Sequence, residues 1–94
     1  MEFEWDRTKA AANFKKHKVT FDEASTAFSD PLARIFDDEE HSTEERREII
    51  VGHSIINRLL LVCFTELDEN TVRIFSARQA TRKERQDYEE NASI

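Results

Sequence analysis

One glycine (Gly52), one proline (Pro31) and one cysteine (Cys63) stand among the 94 residues of this chain. A glycine-rich phosphate loop is therefore absent, which disfavours a nucleotide hydrolase. A lone cysteine forms no internal disulfide, so an oxidising compartment offers no stabilisation. Cys63 lies inside the apolar run Leu59-Leu60-Leu61-Val62-Cys63-Phe64 and reads as a small buried hydrophobe. No segment approaches the roughly 18 apolar residues of a membrane helix, and no membrane role is expected. The start, Met1-Glu2-Phe3-Glu4-Trp5-Asp6, has neither the basic nor the apolar stretch of a secretory signal, so the expected location is the cytoplasm. His17, His41 and His53 show no HExxH spacing and no cysteine partner, so neither metal nor cofactor is expected.

What is present is charge. Charged residues are 36% of the chain against 38% hydrophobic, and fourteen Lys+Arg oppose twenty Asp+Glu for a net charge of −6. The length predicts one domain, residues 1–94, with a lean core. An acidic total speaks against nucleic acid, yet its distribution is uneven. Residues 22–48 carry −7, residues 1–18 carry +2, and residues 70–85 carry +4 from Arg73, Arg78, Arg82, Lys83 and Arg85 against Glu84. Phosphate responds to potential within about 8–10 Å, so a basic pole can act on an acidic protein.

The pattern along the chain predicts an α+β fold. Phe3 and Trp5 alternate with acids as in a short strand. Asp6 is placed to cap a helix over residues 7–17, with Ala10, Ala11 and Phe14 as its apolar spacing and Lys15, Lys16 and His17 suiting the dipole at its end. A capping box at Thr20 and Glu23 opens a second helix, which Pro31 stops. Strand candidates follow at 32–36, 47–52, 59–65 and 71–77, with an acidic loop at 37–45. The continuous apolar run makes 59–65 central, and short connections predict an antiparallel meander of three to four strands. In the last of them Val72, Ile74 and Ser76 are expected on one face, opposite Arg73, Phe75 and Ala77. A second capping box, Thr81 and Glu84, opens a short C-terminal helix to about Glu90, with residues 91–94 frayed.

The stretch from Val72 to Glu89, Val-Arg-Ile-Phe-Ser-Ala-Arg-Gln-Ala-Thr-Arg-Lys-Glu-Arg-Gln-Asp-Tyr-Glu, resembles the C-terminal signature of the BrnT toxins, the RelE-like ribonuclease half of type II toxin–antitoxin systems. Phe3-Glu4-Trp5-Asp6, Lys9-Ala10, Asn13, Lys16-His17, Val19, Phe21, Glu23-Ala24, Arg47 to Gly52 and Arg58-Leu59-Leu60 extend the likeness over nearly the whole chain, in order. The resemblance implies a RelE-like fold with two N-terminal helices, RNA cleavage without a metal, and inhibition of translation and growth. It also implies a ribbon-helix-helix antitoxin, BrnA, as partner in a hetero-oligomer that touches DNA only through the antitoxin. Lys18 departs from the family, which usually has glycine there; a side chain at positive φ costs on the order of 1 kcal/mol.

Such cleavage needs an activated 2′-hydroxyl, a stabilised phosphate and a protonated leaving group. Arginine suits the phosphate, because its planar fork stays charged and grips two oxygens. Arg78 and Arg82, flanking a strand-to-helix junction, are the leading choices, with surface ion pairs to Glu84 or Asp87 as the plain alternative. Arg47 at a strand start, His53 at a strand end, Glu84 and Tyr88 are the candidates for assisting proton transfer. Glu84 is equally explained by its capping box, and Tyr88 by packing. Arg73, Lys83 and Arg85 are candidate RNA contacts. Two other readings remain: a non-catalytic module that binds the antitoxin, and a direct DNA binder, which lacks a helix with a basic recognition face.

Overall fold

In the computed structural model, which describes residues 1–40 and 45–92, the strand β1 (Glu2–Glu4) gives way to the helix α1 (Arg7–His17) at Asp6. The Asp6 carboxylate accepts from the N–H groups of Thr8 (2.8 Å) and Lys9 (3.0 Å), satisfying two orphan donors of the first turn. Thr20 likewise accepts from Glu23 N–H (3.0 Å) and starts α2 (Phe21–Thr26), which tightens into a 3₁₀ turn over Ala27–Ser29. The strands β2 (Arg34–Asp37), β3 (Glu48–His53), β4 (Leu59–Asp68) and β5 (Thr71–Gln79) follow, then α3 (Arg82–Ala92). Residues 41–44 of the expected acidic loop, His41 among them, and 93–94 of the expected frayed end lie outside the described residues.

The expected antiparallel meander is present as β2–β5, each strand paired with the next, but it is not the whole sheet. The sheet has five strands in the order β1-β5-β4-β3-β2, and it is mixed, because β1 pairs parallel to β5. Burial drives that pairing: Phe3 and Trp5 join the core, Phe3 meeting Phe28 edge-on at 5.1 Å and Trp5 meeting Phe21 at 5.8 Å. The apolar β4 is central, as its composition requires. The core lies on the face under α2, where Phe21, Leu60, Val62, Phe64 and Ile74 are almost wholly buried. Gly52 occupies the next-to-last position of β3, where a Cβ would meet the Ala27 carbonyl oxygen at 2.9 Å and Ala33 Cβ at 3.0 Å.

The helix arrangement also differs from the expected one. The apolar spacing of α1 sets its inward face only in part: Ala10 packs against the core, but Phe14 is 47% exposed, and the buried residue of the helix is Asn13. β1 covers only residues 71–73 of β5, and the helix occupies the edge beyond. There Asn13 accepts from Ala77 N–H (3.0 Å) and donates to Ala77 C=O (2.8 Å), as a neighbouring strand would, and donates again to Val19 C=O (3.1 Å). The Thr20–Glu23 box is half made, because the Glu23 carboxylate turns to Arg58 Nε (2.8 Å) and Ser54 Oγ (2.7 Å). α3 packs on the opposite face of the sheet from α2, anchored by Tyr88, whose hydroxyl donates to Leu32 C=O (2.9 Å).

Lys18 does hold the left-handed conformation, φ 58° and ψ 32°, its N–H donating to Phe14 C=O at 2.8 Å. Lys18→Gly is therefore expected to stabilise the protein by up to about 1 kcal/mol in urea unfolding. A loss of stability would show that the Lys18 ammonium over the Phe14 ring, 5.6 Å from its centroid, outweighs the backbone strain.

Candidate active site

A bulge in β5 prepares the site. The partner register skips from Cys63–Ser76 to Phe64–Ile74, so Phe75 and Ser76 both stand on the open face while Ala77 returns to the core. This replaces the expected alternation, in which Ser76 shared a face with Val72 and Ile74. Beside the bulge lies a cleft of about 570 Å³ lined by Phe75, Ser76 and Arg78 of β5, Ile49 and Arg47 of β3 and its approach, and Lys9, Lys16 and His17 of α1.

Arg47 is fixed through its backbone. Its C=O accepts from Asp38 N–H (2.9 Å), and the neighbouring Arg46 C=O accepts from Thr65 Oγ1 (2.6 Å). Its guanidinium stacks on the Phe75 ring, 3.9 Å from the centroid, and meets Glu45 at 3.6 Å. Stacking suits a planar, weakly hydrated cation, and a half-buried setting strengthens its field. The Lys9 ammonium lies 5.4 Å from the same centroid. Four cations and the two carboxylates Asp38 and Glu40 line the cleft, so its local balance is positive within an acidic chain.

Arg78 is held end-on by Glu84, Nη1 to Oε1 at 2.7 Å and Nη2 to Oε2 at 2.9 Å, and Nη1 also donates to Gln79 C=O at 3.2 Å. Among the described residues nothing engages the side edge of the fork, Nε–H and the second Nη2 hydrogen. Glu84 meanwhile completes its capping box, accepting from Thr81 N–H (2.8 Å) while its own N–H donates to Thr81 Oγ1 (3.1 Å). Arg78 above all, then the Thr81 N–H, holds the Glu84 carboxyl down at about 2, far below its ordinary 4.5, against opposition from burial. A lowered carboxyl stabilises the fold above its unfolded value and ceases to as pH falls through the folded one. Wild type is thus expected to lose stability between pH 4.5 and about 2, and Glu84→Gln to flatten that part of the curve in urea unfolding. Identical slopes for the two proteins would refute it.

The remaining expected site residues are distributed elsewhere. His53 and Tyr88 meet each other, ring centroids 5.6 Å apart, over Asp30, away from the cleft. Asp30 accepts from His53 N–H (2.7 Å) and lies 3.3 Å from His53 Nδ1. Burial opposes ionisation of Asp30, but these contacts and the Leu32 N–H bring its carboxyl below the ordinary value. Burial, then the Asp30 charge, pushes the Tyr88 phenol up. Tyr88 and Glu84 line a second, more apolar cavity of about 510 Å³ that shares Ile49 and Leu61 with the cleft. Arg82, Lys83 and Arg85 are exposed on α3 and line neither cavity, Arg85 facing Glu89 at 3.7 Å. Arg73 is paired with Glu4 at 2.8 Å. The +4 segment is therefore not one patch; of its cations only Arg78 reaches the cleft.

Burial pushes the Cys63 thiol up to about 11, aided by Asp38 at 3.4 Å, which leaves it no thiolate at neutral pH. Among the described residues no group of three His, Cys, Asp or Glu side chains gathers as metal ligands do, and no helix is long and apolar enough to cross a membrane. Lys9, Lys16 and His17 also line the cleft, although the sequence explains them by helix position alone. Their signal was present with Asn13: positions 9, 13, 16 and 17 form one polar stripe at helical spacing.

Comparison with known proteins agrees with this architecture. The sequence profile of the family described as "Ribonuclease toxin, BrnT, of type II toxin-antitoxin system" matches residues 5–84. Curated protein sequences give no match. Among solved structures the fold is similar to the 1.1 Å crystal structure of the Brucella abortus ribonuclease toxin, BrnT, with a TM-score of 0.66. Identity is 23%, over 87% of this chain and 99% of that one.

Proposed function

The chain belongs to the BrnT family of ribonuclease toxins of type II toxin–antitoxin systems, and we propose that its basic cleft cleaves RNA without a metal ion. The observation that carries this reading is the convergence of Arg47, just before β3, and Arg78 of β5 with Lys9 and Lys16 of α1 in one cleft of an acidic protein. Arg78 offers the side edge of its fork to two phosphate oxygens, and Arg47 supplies a second, stacked cation. Together they stabilise the charge that accumulates on phosphorus as the 2′-oxygen attacks.

Glu84 acts as a positioning residue, since a carboxyl held near 2 is a poor base at neutral pH and its two oxygens aim the Arg78 fork. Tyr88 and His53 serve to dock α3. Arg73, Lys83, Arg82 and Arg85 contribute at most a diffuse field to RNA outside the cleft. Cleavage in the cell arrests translation and growth, and a ribbon-helix-helix antitoxin neutralises it in a hetero-oligomer that reaches DNA through the antitoxin.

The test is direct. Purified protein is expected to cut single-stranded RNA in EDTA, leaving 2′,3′-cyclic phosphate and 5′-hydroxyl ends, and the cutting should weaken as salt rises. Intact RNA under these conditions, with the protein folded, would overturn the reading and leave the antitoxin-binding module as its replacement.

A further inference from the structure

We infer that His17 is the residue that takes the 2′-hydroxyl proton in the cleft. This rests on the ribonuclease reading and names the proton acceptor that reading requires. The three histidines differ in what holds them. His41 lies outside the described residues, and His53 is committed to Asp30 through Nδ1. His17 is half-buried in the cleft wall, and no hydrogen bond or ion pair engages its ring among the described residues.

Its placement is over-determined for a residue with no partner of its own. Four residues before it, Asn13 ties α1 to the β5 edge through both backbone groups of Ala77, the residue preceding Arg78. Immediately after it, Lys18 reverses the chain at φ 58°, and the Lys18 C=O accepts from Arg58 Nη2 at 3.1 Å. Arg58 is in turn gripped by Glu23. The helix end that carries His17 is thus held between two anchors on the wall of the cleft that Arg78 and Arg47 also line.

The charged and titratable groups around that cleft are Lys9 and Lys16 on the same helix, Arg78 on β5, Cys63 on β4, Arg47 before β3, and Asp38 and Glu40 after β2. None of these is a base suited to neutral pH. The lysines and arginines are cations there, the Cys63 thiol is pushed up to about 11, the buried Asp38 carboxylate is engaged by Cys63 Sγ at 3.4 Å, and Glu40 is an exposed carboxylate, an ordinarily weak base. Histidine alone changes protonation in the working range of roughly pH 5–8.

The step balances without a further reactant. The 2′-hydroxyl proton passes to a ring nitrogen of His17 as the 2′-oxygen bonds to phosphorus. The P–O5′ bond breaks with its electron pair going to the 5′-oxygen, and the imidazolium returns the proton there. The products are a 2′,3′-cyclic phosphate and a 5′-hydroxyl, with no oxidant, metal or water consumed.

The experiment is the pH–rate profile for cleavage of a 5′-labelled single-stranded RNA by wild type and His17→Gln. Wild type is expected to show an acid limb. His17→Gln should lower kcat by about 10²-fold, change KM little and abolish the limb. Added imidazole should restore part of the rate to His17→Ala. A His17→Gln enzyme with wild-type rate and limb overturns the proposal while leaving the ribonuclease reading intact; a wild type that does not cut overturns both. Should the variants not fold, NMR of the wild-type His17 ring decides: a 2′-deoxy oligonucleotide of the same sequence is expected to shift its resonances, and unmoved resonances at saturation overturn the proposal.

Discussion

Arg78→Ala is expected to slow RNA cleavage by about 10²- to 10³-fold, the cost typical of removing one preorganised donor to a transition-state anion. The loss should fall mainly on kcat, because the phosphorane-like state carries more negative charge than the bound diester and draws harder on the same two N–H groups. Arg78→Lys should recover little of it. An ammonium neither grips two phosphate oxygens nor spans both oxygens of Glu84, which now hold the fork at 2.7 and 2.9 Å. Arg47→Ala should cost a similar factor and also release the Phe75 ring from the stack at 3.9 Å.

Arg82 supplies the contrast, since it sits on the first turn of α3, exposed, and lines neither cavity. Arg82→Ala is expected to change the rate only a few-fold, chiefly by reducing the salt dependence of RNA binding. Single-turnover rates for the three alanine variants at fixed ionic strength decide the matter. Equal losses at Arg82 and Arg78 would return the phosphate site to the strand-to-helix junction.

How much of this the sequence reveals depends on the range of the interaction that decides each feature. Helix starts at Asp6, Thr20 and Thr81 are legible because capping acts over two or three residues. The central place of β4 is legible from its unbroken apolar run. The β1–β5 pairing is not, because a three-residue strand carries no register signal and its partner lies about seventy residues on. The bulge at Phe75 is equally hidden, since nothing in Val72–Ala77 marks the skipped residue.

The site divides the same way. Arg47 and Arg78 are legible as arginines at the end or start of strands. The basic run of residues 70–85 misleads, because Glu4 and Glu89 engage Arg73 and Arg85 and only the folded chain brings the first of these carboxylates near. The α1 contribution is hidden for another reason. Lys16 and His17 at a helix end have a complete local explanation in the dipole, and only the β5 edge turns that end into a wall of the cleft.

That edge is where the second large effect is expected. Asn13→Ala removes three hydrogen bonds at once and leaves Ala77 N–H, Ala77 C=O and Val19 C=O without them in the interior. Each buried group so orphaned costs about 1–3 kcal/mol, so a total of about 3–9 kcal/mol is expected. A domain of this size has roughly 5–15 kcal/mol of stability in all, and its melting temperature falls about 4–8 °C per kcal/mol. The variant should therefore melt about 15 °C or more below wild type. Asn13→Asp discriminates the cause. It keeps the volume and the acceptor for Ala77 N–H but sets a carboxylate against two carbonyl oxygens, and it should be at least as destabilised as alanine. If packing alone held α1 to the sheet, the aspartate would instead be the milder change, and calorimetry of the two variants at neutral pH separates the alternatives. The same bonds fix the helix that bears Lys16 and His17, so at temperatures where Asn13→Ala remains folded its cleavage rate should also fall. The residue that substitutes for a strand on β5 thereby joins the stability of the sheet edge to the geometry of the cleft.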